Sequence, residues 1–146
     1  MESLGELLES NRGGVRAISD EITTEAVEQL AQQRGLHFFR VNCRDVTDKS
    51  ALLRTLAQTF SFPGYFGGNW DALEECLTDL EWLSGKGYVI LLENTARLVQ
   101  RSPEELQIAM SIFEDSAQVW ADRETPFWVL VRGGAGSGRF STVDAP

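Results

Sequence analysis

Only two cysteines, Cys43 and Cys76, and one histidine, His37, occur in the 146 residues. Two thiols outside any CxxC spacing are too few for a disulfide scaffold and form no zinc pattern, so both are expected to stay reduced. His37 stands beside Phe38 in an aromatic stretch, where a structural imidazole is the expected role, and neither cysteine has an adjacent histidine to activate it. Basic charge is also short. With 13 Lys and Arg against 22 Asp and Glu, the net charge of -9 would repel nucleic acid phosphates and anionic membranes and attract a basic partner. No run reaches the roughly 20 apolar residues of a membrane span. MESLGELLES carries acids where a signal peptide needs cations and has no apolar segment. These absences predict a cytoplasmic protein with no catalytic residues, no cofactor, no metal, and no nucleic-acid or membrane binding. The glycines of GGAGSGRFSTVDAP lack the Gly-Lys-Ser/Thr of a phosphate loop and precede no helix, so residues 133–146 are expected to form a flexible tail.

What is present is an alternation of strand and helix signals. After a polar start, GVRAIS reads as a short strand, and TTEAVEQLAQQRG as a helix with a threonine cap, a core face of Val27, Leu30 and Ala31, and Gly35 at its stop. LHFFRVNC reads as a strand, followed by a helix capped by Asp48 with Leu52, Leu53, Leu56 and Phe60 at helical spacing. NWDALEECLTDL is a helix capped by Asn69 behind the turn-rich loop SFPGYFGG. GYVILLEN and PFWVLVRG are uninterrupted apolar strands. Between them SPEELQIAMSIFEDSAQVWADR opens with Ser102 as cap, Pro103 at the first helical position and Glu105 three residues on, the pattern of a capping box. Strands joined by helical crossovers, two of them apolar throughout, predict an α/β domain with a small, mainly parallel sheet of three to four strands packed by helices.

The acid is not spread evenly. Residues 69–93 hold six acids against one lysine, and the candidate helix itself holds Asp71, Glu74, Glu75, Asp79 and Glu81 with no Lys or Arg among them. At 100° per residue Leu73, Cys76, Leu77 and Leu80 form the core stripe, and Asp71, Glu75 and Thr78 lie nearly opposite. Asp71, Glu75 and Asp79 follow one another at i, i+4 and i+8, a spacing that costs a few tenths of a kcal/mol per like-charged pair. Folding gains nothing from such a stripe. The positive end of the helix dipole accounts for Asp71 and Glu74 as an ordinary solvated face, but it does not reach Glu75 or Asp79. A cationic partner would account for all of them. These acids match no oxygen-ligand loop for a divalent cation. Tyr65, Phe66 and Trp70 place aromatics beside the acids, of which Tyr65 is the better contact candidate, while Trp70 serves equally well as a staple to the core.

The stretch FPGYFGGNWDALEECLTDL, residues 62–80, resembles the barstar family, whose mark is a Pro-x-Tyr-aromatic-Gly-x-Asn loop running into Asp-Ala-Leu-x-acid-Cys-Leu-Thr. Pro63, Tyr65, Phe66, Gly67, Asn69, Asp71, Ala72, Leu73, Glu75, Cys76, Leu77 and Thr78 match it in register. The element order from about residue 36 to 131 is similar to the family's as well.

The resemblance implies a single domain over residues 1–132, with a family core at 36–131 and an extra strand-helix unit at 14–35. It implies an inhibitor that plugs the active site of a basic ribonuclease inside the cell and is a monomer when free. The family and its ribonuclease are a standard example of electrostatic steering and of binding hot spots. Position by position, Tyr65 would pack on the enzyme and Asn69 would sit at the loop-helix junction. Asp71 would pair with a basic active-site residue, and Glu75, with Thr78 beside it, would enter the phosphate pocket. Trp70 and Glu74 flank these, and Asp115 matches a further acidic contact. Carboxylates would then occupy sites built for RNA phosphates. The chain departs from the pattern where Glu75 and Asp115 exchange the usual Asp and Glu, where Glu74 replaces an aromatic and where Asp79 replaces a glycine. These departures point to a partner with a different pocket. A module of the same fold that binds a non-ribonuclease basic toxin or a regulatory protein is the competing expectation.

Overall fold

The computed structural model describes residues 3–10, 12–62, 68–79, 86–132 and the backbone of 142–143. In chain order the elements are α1 (Leu4–Glu9), β1 (Gly14–Ile18), α2 (Thr24–Gln33), β2 (His37–Asn42), α3 (Lys49–Phe60), α4 (Trp70–Asp79), β3 (Tyr88–Glu93), α5 (Ala96–Arg101), α6 (Pro103–Asp122), β4 (Phe127–Val131) and β5 (Thr142–Val143). The strands form one sheet in the order β2-β3-β4-β1-β5, and every pairing is parallel.

All six residues of β3 and all five of β4 are buried, because helices cover both faces of the sheet. Alternate side chains serve the two faces. Tyr88, Ile90, Leu92, Phe127, Val129 and Val131 pack with α3, α4, α5 and α6. Val89, Leu91, Trp128 and Leu130 pack with α1 and α2. The result is a three-layer sandwich whose larger core lies on the α3–α6 side.

Local sequence accounts for most element ends. Thr23 Oγ1 accepts from the Ala26 amide at 3.1 Å, and Asp48 Oδ1 from the Ala51 amide at 2.8 Å, as caps of α2 and α3. Gly35, at φ +71°, lets the Leu36 amide reach the Ala31 carbonyl and its own amide reach Gln32, which closes α2.

Several elements differ from the sequence expectation. The N-terminal start is a helix, α1, whose Leu4, Leu7 and Leu8 are buried at i, i+3 and i+4 under a Ser3 cap. One and a half turns are too short to show a period. α5 was not expected, and it runs directly into α6. Ser102 therefore makes no side-chain cap: its hydroxyl donates instead to the Thr47 carbonyl at 2.8 Å, so the capping box read at Ser102 and Glu105 is not formed. The strand of the 14–35 unit, whose place the sequence left open, enters the sheet as β1 beside β4. The tail expected to be flexible contributes Thr142 and Val143, which pair with Ala17 and Ile18 and bring the sheet to five strands. The rest of 133–146 lies outside the described residues. Among the described residues no helix is long and apolar enough to cross a membrane.

Candidate functional site

The acidic segment folds into α4, and its ends are held by different means. At the start, Asn69 Oδ1 accepts from the Ala72 amide at 2.8 Å, in the capping role its sequence position predicts. Trp70 is half-buried against the core, and the Lys49 ammonium lies 5.3 Å from its ring centroid. Of its two readings, the staple is the one visible in the free protein. At the far end Trp120 Nε1 donates to the Leu77 carbonyl at 2.8 Å, and Arg123 Nη1 to the Thr78 carbonyl at 2.7 Å. The Arg123 guanidinium also stacks 4.8 Å from the Trp120 ring. Two carbonyls of the last turn thus gain donors, and a cation sits at the negative end of the helix dipole. Leu73, Cys76 and Leu77 are buried in the core beneath.

This anchoring fixes what faces outward. Asn69, Asp71 and Glu75 are exposed, while Glu74, Thr78 and Asp79 are half-buried. Among the described residues no Lys or Arg forms an ion pair with Asp71, Glu74 or Glu75. Thr78 Oγ1 donates within its own helix, to the carbonyls of Glu74 at 2.9 Å and Glu75 at 3.2 Å, leaving its lone pairs free to accept. The acidic field is felt locally: the Cys76 thiol is pushed above its ordinary value by burial and then by the charges of Glu75 and Asp79. Tyr65 and Phe66, together with Leu80 and Glu81, lie outside the described residues.

Asp115 is exposed on α6, with Phe113 buried on the opposite arc and Ile112 buried one turn before it on the near side. Of the apolar residues on the Asp115 side of this helix, Ile108 is 42% exposed and Ile112 is buried. Asp115 is thus available to solvent on a separate helix from the other acids.

His37 and the two cysteines lie among aromatic and core residues. His37 stacks between Tyr88, at 5.9 Å, and Phe39, at 6.2 Å. Cys43 is buried, and burial alone pushes its thiol up to about 12.

Sequence reasoning missed Trp120 and Arg123 as the residues that position α4. Their contacts span 43 and 45 residues of sequence, and no local pattern signals them. It also missed Glu93, a buried carboxylate at the end of β3. Its Oε1 accepts from Thr24 Oγ1 at 2.6 Å, and Arg40 Nε and Nη2 bind Oε1 and Oε2 at 3.1 Å each.

Comparison with known proteins bears on residues 36–132, from the residue before β2 to the one after β4. A search of curated proteins finds no match. The family model Barstar, described as "Barstar (barnase inhibitor)", matches residues 36–132, a span that includes α4, Asp115 and the Trp120–Arg123 anchor. The α/β architecture with its parallel sheet agrees with that match, and the chain belongs to the barstar family.

Proposed function

We propose that the chain is an intracellular inhibitor that blocks the active site of a basic ribonuclease or ribonuclease-like toxin with the exposed face of α4. One observation carries the reading: Asp71 and Glu75 stand exposed, one turn apart, without an ion-pair partner among the described residues, on a helix anchored at both ends. The helix dipole favours Asp71 but does not reach Glu75, whereas carboxylates four residues apart suit a pocket that binds successive phosphates through Arg and Lys. Barstar membership supports inhibition over catalysis.

In this reading Asp71 and Glu75 are the principal contacts, and Asn69, Trp70, Glu74 and Thr78 complete the surface around them. Tyr65 supplies an aromatic contact from the preceding loop, and Asp115 a peripheral acid. Because the anchored backbone holds the carboxylates before the partner arrives, little ordering entropy is lost on binding. The free chain acts as a cytoplasmic monomer, without cofactor, nucleic acid or membrane.

The test is a pull-down from native cell extract with the wild-type chain and the Asp71→Ala/Glu75→Ala variant, followed by a ribonuclease assay of the eluate. Recovery by wild type alone of a basic protein whose RNA cleavage stops on re-adding the chain is the expected result. A partner without nuclease activity, captured through the same acids, would transfer the function to a different basic toxin or a regulatory protein.

A further inference from the structure

A groove of opposite charge lies beside the acidic helix. It measures about 410 Å³ and is lined by Lys49, Ser50, Leu53, Arg54 and Ala57 of α3 and by Gly68. Among the described residues no lining residue is acidic, and the adjacent Asp48 commits its Oδ1 to the Ala51 amide. The half-buried Ala57 and the edge of the buried Leu53 form an apolar floor, and Arg54 is exposed. Among the described residues neither Lys49 nor Arg54 forms an ion pair. Gly68 stands at φ +71°, and among the described residues no atom lies within 4 Å of the position a Cβ would take there.

The groove is continuous with the first turn of α4. Gly68 precedes the Asn69 cap, and Lys49 covers the Trp70 ring from the groove side. A partner surface that was basic throughout would meet attraction at Asp71 and repulsion at Lys49 and Arg54. A cationic rim on an apolar floor suits instead a carboxylate on a short apolar stem. We infer that the groove is a second part of the binding surface and receives an acidic side chain, Asp or Glu, from the same partner that presents cations to α4. The inference rests on the reading of α4 as the contact helix. It makes the interface bipolar, which fixes the orientation of the partner and disfavours partners of uniform positive charge.

The sign of one substitution separates the alternatives. Reversing Arg54 to Glu removes repulsion if the partner is uniformly basic and so tightens binding. With an acidic side chain in the groove, Arg54→Glu weakens it. Barnase serves as the ribonuclease probe, and N-acetyl-glutamate methylamide as a probe of the groove alone. Circular dichroism confirms that the variants fold, as the exposure of Arg54 leads one to expect. The expected results are at least a fivefold loss of barnase affinity in Arg54→Glu and a smaller loss in Lys49→Gln. Amide shifts with millimolar glutamate probe should be confined to Lys49, Ser50, Arg54 and Gly68 and disappear in Arg54→Glu. Unchanged or tighter barnase binding by Arg54→Glu overturns the proposal, and so does the absence of localised shifts. If the wild type ignores barnase while the shifts remain, the groove stands as a carboxylate site, barnase falls as the target, and the affinity comparison passes to the ribonuclease recovered in the pull-down.

Discussion

Two sets of carboxylates in this chain live under opposite conditions. Glu93 ends a central strand, its side chain 7% exposed, and is bound by a bidentate arginine and a threonine hydroxyl. Asp71 and Glu75 stand in solvent one turn apart, with no ion pair among the described residues. A buried carboxylate survives only when its charge is matched and its lone pairs are filled. An exposed acid has no such requirement, so a run of them in a helix without cations asks for a reason outside the fold. The first arrangement holds the ends of β2 and β3 and the start of α2 together. The second is the set proposed to meet a partner.

The largest expected effect comes from breaking the buried set. Glu93→Ala leaves Arg40 and Thr24 without their acceptor and removes the charge facing Arg132, and should cost about 3 kcal/mol in denaturant unfolding. Half of Arg40 is in solvent, which keeps the cost at the low end for a severed pair. The outer set should respond the other way round. Asp71→Ala and Glu75→Ala should each weaken partner binding by roughly 2 kcal/mol or more, as exposed hot-spot acids do, while unfolding stays within about 0.5 kcal/mol of wild type. Unchanged affinity in both would place the interface elsewhere.

Trp120→Phe keeps an aromatic ring in the core but removes the donor to the Leu77 carbonyl and part of the ring beneath Arg123, so it should cost about 2 kcal/mol. The opening should be local, seen as faster amide exchange in α4 than in β3 and β4. Salt sharpens the comparison further: association with the partner should slow as ionic strength rises, because exposed acids steer through solvent. A flat rate between low and high salt would remove the electrostatic mechanism.

The smallest effect is a titration. Burial pushes the Glu93 carboxyl up, but hydrogen bonds from Thr24 and Arg40 and the charges of Arg40 and Arg132 outweigh it, leaving the group below its ordinary value of 4.5. A lowered carboxyl contributes stability that is complete above the ordinary value and is lost as pH falls through the folded-state value. Unfolding free energy should therefore decline below about pH 4.5, and Glu93→Gln should flatten that decline. An equal decline in both proteins would assign it to other groups.

What could be read in advance follows the range of the interactions. The caps at Thr23, Asp48 and Asn69 and the apolar runs of β3 and β4 are local patterns, and each forms as its sequence predicts. The core stripe of α4 is likewise local, and its outward acids follow from it. The capping box at Ser102 failed because a tertiary acceptor 55 residues away, the Thr47 carbonyl, took the hydroxyl. The place of β1 depends on sheet order, which no periodicity encodes. Glu93 resembles any strand-end acid until Thr24 and Arg40, 69 and 53 residues distant, are brought to it. Within the site, the exposed acids were legible from the sequence, while the Trp120 and Arg123 anchor that orients them was not.

The most direct test of the division between the two sets is to measure unfolding free energy and partner affinity on the same preparation of the Asp71→Ala/Glu75→Ala variant. The account predicts a fold as stable as wild type, or slightly more so once like charges are removed, together with a loss of affinity of at least a hundredfold. A destabilised fold that still binds its partner at wild-type strength would contradict it.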